Sequence, residues 1–259
     1  MYVEERRLHI LELLKKKRRV DVSDLADKLN TSPETIRRDL NEMEADGFLK
    51  RTHGGAIYRG EDTARPLIPV MGRRDINHEM KRSVARVAAF YVDDGDVIAI
   101  DNSTTACRIL EFIPASYRLT VITYSLQVVM DMVSGGNGGW NCICLGGSVH
   151  NDNLSTHGIL TTNALSLFQP HKLFMSCAGV GQDGLITEGA LMETEIKREL
   201  ILCCQKTFLL VDGTKWGQIG SVNEGTVDDL DFLITNAGVD PAKLAFLADR
   251  KVRVLFDDD

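Results

Sequence analysis

The stretch Ser32-Pro33-Glu34-Thr35-Ile36-Arg37-Arg38-Asp39-Leu40-Asn41-Glu42-Met43 decides how the N-terminal end of this chain folds. Ser32 is placed to cap a helix, Pro33 suits the first helical position, and Glu34 meets the positive end of the helix dipole. Ile36, Leu40 and Met43, spaced i, i+4, i+7, give that helix one buried face, and Gly47 offers it a C-cap. With those three side chains inside, Thr35, Arg37, Arg38 and Asn41 point outward.

Working outward, two helical patterns precede this one. The first runs from about Glu4 to Lys17, with Leu8, Leu11 and Leu14 on one face. The second opens at Ser23 as N-cap and turns Leu25, Ala26 and Leu29 inward. Downstream, Phe48–Thr52 and Ala56–Arg59 read as two short strands joined by His53-Gly54-Gly55, a basic hairpin with a glycine tip. Short helices, a tight turn, a second helix entered through Ser-Pro and a hairpin after it make a winged helix-turn-helix. There the N-terminal part of the second helix meets base edges in the major groove. Arginine pairs with guanine in bidentate fashion, while threonine and asparagine supply phosphate or adenine contacts. The candidate DNA-binding residues are therefore Ser32, Thr35, Arg37, Arg38 and Asn41 on the helix, with Arg51, His53 and Gly54 in the wing. A helix with two solvated arginines is by itself an ordinary surface helix; the cap, arginine pair and basic hairpin occurring together point to DNA.

Charge is distributed to match. The 259-residue chain carries a net charge of −7, yet residues 1–59 hold 13 Lys+Arg against 11 Asp+Glu, and the remainder 17 against 26. At 44% hydrophobic and 26% charged the chain can bury a sizeable core, and its length suits two domains. No apolar run approaches the roughly 18–20 residues that span a bilayer, and the N-terminus lacks a signal-peptide pattern, so a cytoplasmic protein without a membrane partner is expected. The six cysteines form no C-x-x-C pair and have no suitably spaced histidines, which predicts reduced thiols and neither a metal site nor a cofactor.

The run from Ser32 to Leu40, with Gly47, Arg51 and His53-Gly54-Gly55-Ala56 after it, resembles the signature of DeoR-family regulators. That resemblance implies that Arg37 and Arg38 read DNA and that Asp39 braces the helix or its arginines. The domains expected are a winged helix-turn-helix over 1–58, a linker over 59–77 and an α/β effector-sensing domain over 78–259.

In the larger part, a helical pattern from His78 (Met80, Val84, Val87, Tyr91) leads into Val97–Ile100, a fully apolar strand. Strands at Leu119–Thr123, Cys142–Leu145, Lys172–Ala178, Phe208–Val211, Phe232–Thr235 and near Val252–Phe256 alternate with helices at Leu126–Val133, Glu193–Cys204 and Pro241–Arg250. The βαβ rhythm predicts an open α/β sheet, whose ligands bind at the carboxyl ends of the strands. Those ends carry Asp101-Asn102-Ser103-Thr104-Thr105, Tyr124-Ser125, Gly146-Gly147, Gly179 and Asp212-Gly213-Thr214-Lys215, small and hydroxylated with a few charges, which suits a phosphorylated polyol. Each has a plainer reading: serine and threonine at helix starts usually cap, and Asp212 makes a turn. Gly179-Val-Gly181-Gln-Asp-Gly184 fits G-x-G-x-x-G, but no helix opens at its third glycine, so no dinucleotide site is expected.

The family resemblance continues through Asp101–Thr105, Leu145–Gly147, Gly184–Thr187, Glu193–Lys197 and Asp212–Lys215. It implies a sensor domain similar in fold to sugar-phosphate isomerases, with an effector site lined by Asp101, Ser103, Thr104, Thr105, Glu193 and Lys215. The function expected is a DNA-binding repressor of a carbohydrate-metabolism operon, controlled by a phosphorylated sugar effector and acting on double-stranded operator DNA as a homodimer or homotetramer. The alternative is an isomerase-like enzyme with an N-terminal partner-binding appendage. Against it, no compact acid/base constellation marks a catalytic residue.

Overall fold

A computed structural model describes residues 3–45, 49–58, 70–135 and 139–258. The chain divides into two compact units, residues 1–68 and 69–259.

The first unit runs α1 (Val3–Lys17), β1 (Arg19–Asp21), α2 (Val22–Lys28), α3 (Pro33–Ala45), β2 (Leu49–Thr52) and β3 (Gly55–Tyr58). Its core joins Ile10, Leu11 and Leu14 of α1 to Leu25 and Ala26 of α2 and to Ile36, Leu40 and Met43 of α3. Burial of those apolar faces against one another, at about 25 cal/mol per Å², is what holds helices this short. The second helix starts one residue before Ser23: Val22 is already helical, and Asp21 in extended conformation precedes it. Strand β1 was not expected. It pairs antiparallel with β3, Val20 opposite Ala56 and Asp21 opposite Gly55, giving a three-stranded order β1-β3-β2. Three residues are too few for period-2 alternation to register in sequence. The close approach depends on Gly55, where a Cβ would stand 2.0 Å from the Val20 carbonyl oxygen. The wing turn is accordingly the two residues His53-Gly54, with Thr52 opposite Gly55. Gly47, Phe48 and Arg59 lie outside the described residues.

Asp39 fixes α3 against α1. Its carboxylate is buried and accepts from Arg6 Nε at 2.5 Å and Arg7 Nε at 3.3 Å, and Arg7 also pairs with Glu42. The bracing is thus with α1 and not with the arginines beside it on α3.

The second unit opens with α4 (Val70–Arg74) and α5 (His78–Ala89). Of the stretch expected as linker, residues 59–69 lie outside the described residues; Val70–Arg74 is a helix whose first residue is buried. Next come β4 (Val97–Ile100), β5 (Leu119–Thr123), α6 (Leu126–Gly135), β6 (Trp140–Cys144), β7 (Ser148–His150), β8 (Ser155–His157), α7 (Ile159–Leu165) and β9 (Lys172–Met175). The unit closes with β10 (Gly179–Val180), β11 (Leu185–Glu188), α8 (Leu191–Cys203), β12 (Lys206–Val211), β13 (Val222–Thr226), β14 (Phe232–Thr235), α9 (Pro241–Leu244) and β15 (Arg253–Phe256). Seven strands form one parallel sheet in the order β15-β14-β12-β9-β4-β5-β6. Alternate residues pack on opposite faces: Ile98, Ile100, Phe174, Phe208 and Leu210 on one, Ala99, Leu173, Met175, Leu209 and Val211 on the other. Helices cover both faces, which is why these strands read as unbroken apolar runs.

Strand order reverses between β4 and β9, the place where open sheets bind ligands. Three short pieces that the sequence did not announce lie here: the β7–β8 hairpin, helix α7 and a small antiparallel sheet β10-β11-β13. Gly179 belongs to that small sheet and not to the end of a parallel strand; a Cβ there would sit 2.1 Å from the Gln218 carbonyl oxygen. The turn at Gly184, with φ of +85°, leads into β11 and confirms that no helix starts at the third glycine.

Replacing Asp39 by Ala removes the carboxylate that ties α3 to Arg6 and Arg7, at a cost of about 1.5–3 kcal/mol for hydrogen bonds to charged groups. Thermal unfolding of the full chain is expected to show the first unit melting markedly earlier in Asp39→Ala; an unchanged transition assigns the packing of α3 on α1 to the apolar core alone.

Candidate functional site

On the first unit, α3 presents a polar face. Ser32 caps it: its Oγ accepts the Thr35 N–H at 3.1 Å and shares a 2.8 Å hydrogen bond with the Thr35 hydroxyl. Arg37 and Arg38 are exposed, each lightly tied to a glutamate of its own helix, Glu34 at 3.0 Å and Glu42 at 3.2 Å. Such exposed pairs are worth only ~0.3–0.5 kcal/mol and yield readily to a phosphate or a base. Asn41 is exposed on the same helix, and His53 and Gly54 stand at the exposed wing tip. Arg51 is half-buried, and its Nη1 donates to the Gly55 carbonyl at 2.9 Å, so it stiffens the wing.

In the second unit the strand ends form a polar layer. Asp101, at the end of β4, is fully buried: one oxygen accepts the Ser103 N–H at 2.9 Å, the other the Ser176 N–H at 3.0 Å beyond β9. Lys197 of α8 stands beside it at 3.3 Å, donates to the Ser176 carbonyl at 2.6 Å and to Glu188 at 2.5 Å, and lies 3.8 Å from Glu224. Burial opposes the Lys197 charge, but Glu188, Glu224 and Asp101 outweigh it and hold its pKa well above an ordinary lysine's. Three carboxyl groups surround this one ammonium. For Glu224 burial prevails over the pull of Lys197, and its carboxyl is pushed up to about 8, with neither oxygen hydrogen-bonded.

A second cluster is cationic. Lys81 of α5 is 4% exposed and donates to the Arg73 carbonyl at 2.6 Å and the Thr104 hydroxyl at 3.0 Å. Burial, then Lys215, with Arg73 and Arg108 also contributing, pushes its pKa down to about 8 against the opposing pull of Asp212. Lys215 donates to the Cys177 carbonyl and, at 3.4 Å, to the Ser176 hydroxyl. Buried atoms without a hydrogen-bond partner gather around this layer: Thr105 Oγ1, Asp212 Oδ2, Arg73 Nε and Arg108 Nε.

Ser103, Thr104 and Ser125 line a seam too tight to hold a water molecule, together with Val70, Met71, Arg74 and Asn102. Ser103 and Ser125 also cap locally, accepting the N–H of Ala106 at 3.0 Å and Val128 at 3.3 Å. Thr105 leads into a six-residue 3₁₀ turn, Ala106–Glu111, rather than an α-helix. Glu193 lines a neighbouring cleft with Asn153 and His157, and its carboxylate accepts from Asn102 at 2.6 Å and Asn153 at 2.5 Å. Burial, with Glu188 nearby, raises its pKa above the usual carboxylate range. Tyr124 donates to Asn102 at 3.0 Å from full burial. Gly146 and Gly147 line neither the seam nor the cleft: Thr161 donates to the Gly146 carbonyl at 2.6 Å, and a Cβ at Gly147 would meet Thr161 and the His157 carbonyl. Sequence reasoning missed Lys81, Arg73, Arg108, Asn153, Glu188, Glu224 and the pairing of Lys197. The signal for Lys81 was present, since it sits on the apolar stripe of α5 with Val84, Ala85 and Ala88.

Residues 6–61 match the DeoR-like helix-turn-helix domain, and residues 76–237 match the DeoR C terminal sensor domain. The chain belongs to the DeoR family. It is 33% identical to the uncharacterized HTH-type transcriptional regulator YulB of Bacillus subtilis, over 98% of this chain and 96% of that one. It is 26% identical to the glycerol-3-phosphate regulon repressor of Escherichia coli, over 95% of each. Ribose 5-phosphate isomerase A of Methanocaldococcus jannaschii is similar over 54% of each chain, at 17% identity and a TM-score of 0.36, a likeness too low to bear on this chain. This DeoR-family chain is a transcriptional regulator with a sensor domain, and the enzyme reading has no support among its relatives. No helix among the described residues is long and apolar enough to cross a membrane.

The folded Glu224 carboxyl keeps its proton to about pH 8, whereas the unfolded one loses it near 4.5. The folded state therefore binds more protons between those values, and this group's contribution to stability is lost as pH rises through that window. Glu224→Gln, which mimics the protonated form, is expected to raise the melting temperature by a few degrees at pH 8–9 and to change it little at pH 5; equal shifts at both would show that the carboxyl is ionised in the fold.

Proposed function

We propose that this DeoR-family chain is a cytoplasmic repressor of a carbohydrate-metabolism operon, controlled by a phosphorylated sugar or polyol bound at the strand ends of the sensor unit. The observation that carries the reading is the environment of Lys81. A buried ammonium whose hydrogen bonds go to a carbonyl and a hydroxyl, with Lys215, Arg73 and Arg108 close enough to depress its pKa, is a site short of negative charge. A phosphate supplies it, with Ser103, Thr104 and Thr105 as hydroxyl partners. On the other side of the same layer, Asn102, Asn153 and Glu193 suit the hydroxyls of a polyol. The name of the E. coli relative, a glycerol-3-phosphate regulon repressor, fits a small phosphorylated polyol as the effector class.

Operator binding is assigned to Ser32, Thr35, Arg37, Arg38 and Asn41 on α3, with His53 and Gly54 of the wing at the backbone and Arg51 holding the wing in shape. Helix-turn-helix proteins bind paired half-sites, so a homodimer or homotetramer is the working form.

A thermal-shift panel of ribose 5-phosphate, glucose 6-phosphate, fructose 6-phosphate and glycerol 3-phosphate tests the sensor, with the unphosphorylated compounds as controls. Stabilisation is expected from phosphorylated compounds only; none from any of them would remove the effector class. An anion beside Lys81 favours its charged form, so binding takes up a proton once Lys81 has titrated. Affinity is therefore expected to fall as pH rises through about 8, and calorimetry in two buffers reads the proton uptake.

For the operator, Arg38→Ala is expected to weaken binding by about 1–3 kcal/mol if Arg38 reads a guanine. Fluorescence anisotropy with operator DNA measures this, and undiminished sequence-specific affinity would place recognition elsewhere on the unit.

A further inference from the structure

The two edges of the seven-stranded sheet are built differently. At one, β15 stands among charges, with Lys251, Arg253, Asp257 and Asp258 on or beside it, which is how an edge strand is kept from pairing with another chain. At the other, β6 reads Trp140-Asn141-Cys142-Ile143-Cys144, with no charge and no proline. The uncharged sequence extends well beyond the strand. From Met132 to His171 the chain holds a single Asp, Glu, Lys or Arg, Asp152, whereas 26% of the whole chain is charged.

Half of the β6 backbone is spare. The Gly139 carbonyl accepts the Leu119 N–H at 3.4 Å, and the Leu145 N–H donates to the Thr123 carbonyl at 2.8 Å, so the odd-numbered residues of this stretch face β5. A parallel ladder then turns the N–H and C=O of Trp140, Cys142 and Cys144 to the outer side. Among the described residues no backbone hydrogen bond is made to these outer groups. The strand is exposed or half-buried along its length, unlike the interior strands of the sheet.

Apolar side chains flank the same edge. Helix α6 packs against β6 and exposes Val133. Helix α7 is tied to the segment just past β6, where Thr161 donates to the Gly146 carbonyl at 2.6 Å, and it exposes Ile159 and Leu160. No residue of α7 is charged. One exposed aliphatic side chain is ordinary; several beside an uncharged, unpaired strand edge mark an interaction surface.

We infer that the β6 edge, flanked by α6 and α7, is the surface through which two copies of this chain associate, β6 pairing antiparallel with its counterpart about a two-fold axis. Three constraints select a second copy as the occupant. At a net charge of −7, two copies repel over most of their surface, and this end is where that repulsion is weakest. An uncharged apolar surface is complementary to itself, as a two-fold contact requires, and depletion of charge is the mark of an interface core. The outer backbone groups match as well: centred on Cys142, an antiparallel ladder sets Trp140 opposite Cys144 of the partner subunit, and all three residues find partners. The inference rests on the homo-oligomer reading and deepens it by naming the surface.

Sedimentation velocity of the full chain tests it in wild type, Cys144→Lys and Ile159→Lys, with Phe90→Lys as control at an exposed apolar residue elsewhere. Wild type is expected to sediment as a dimer or larger. Each lysine at the β6 end is expected to raise the dissociation constant about tenfold or more, and Phe90→Lys to leave it unchanged. Residue-resolved hydrogen exchange of the wild type needs no variant to fold: the amides of Trp140, Cys142 and Cys144 are expected to be protected in the oligomer, where an unpaired edge leaves them open. An oligomer that ignores both lysines, or in which those three amides exchange freely, overturns this surface and leaves the homo-oligomer standing. A wild type that is monomeric at every concentration overturns both.

Discussion

The sensor unit is organised around one ammonium. Lys197 projects from α8 into the layer above the sheet and touches the segment just beyond β9, the end of β4, and strands β11 and β13, through Ser176, Asp101, Glu188 and Glu224. Taking so many charges out of water costs several kcal/mol per ion before their attraction returns it, so the cluster is a weak source of net stability. Its effect is on arrangement. Any shift of α8 along the sheet strands at least one buried carboxylate, and the ends of β4 and β9 are therefore held in register where the strand order reverses.

That arrangement sorts the charges above the sheet. Carboxyl groups gather around Lys197, while Lys81 and Arg108 hold the last turn of α4 through the carbonyls of Arg73 and Arg74, and Lys215 reaches Ser176 between the two groups. Asn102 stands at the border, donating to Glu193 and accepting from Tyr124. A ligand with an anionic end and a hydroxylated body matches such a division in one orientation only, since reversing it would set phosphate against carboxylate and leave buried cations unpaired. The α3 face of the first unit works differently: its arginines are exposed, paired only with glutamates on the same helix, and carry their charge to the surface.

Much of this was legible in the chain itself. The apolar spacing of Ile36, Leu40 and Met43 set the orientation of α3, and unbroken apolar runs such as Val97–Ile100 announced a sheet covered on both faces. Ser103, Thr104 and Ser125 were expected at a ligand site because ends of parallel strands are where backbone and hydroxyl groups turn toward a ligand, and the structure brings the three side by side. The features that escaped did so for physical reasons. Strands β1, β7, β8 and β10 are two or three residues long, below the length at which alternation carries information. Asp101 reads as a lining residue in sequence because burial cannot be told from position at a strand end; its oxygens face inward to Ser103, Ser176 and Lys197. Arg108 and Lys197 look like surface charges in sequence, and only packing shows that they are buried, whereas Lys81 shares the apolar stripe of α5.

Asp39 separates two jobs that share one helix. By anchoring α3 to Arg6 and Arg7 from its inner side, it sets how the helix is held without drawing on Arg37, Arg38 or Asn41. The outer residues are then free to change. If α3 reads the operator as proposed, substitutions on that outer face would retarget the regulator to a new operator while the scaffold carrying it stays the same.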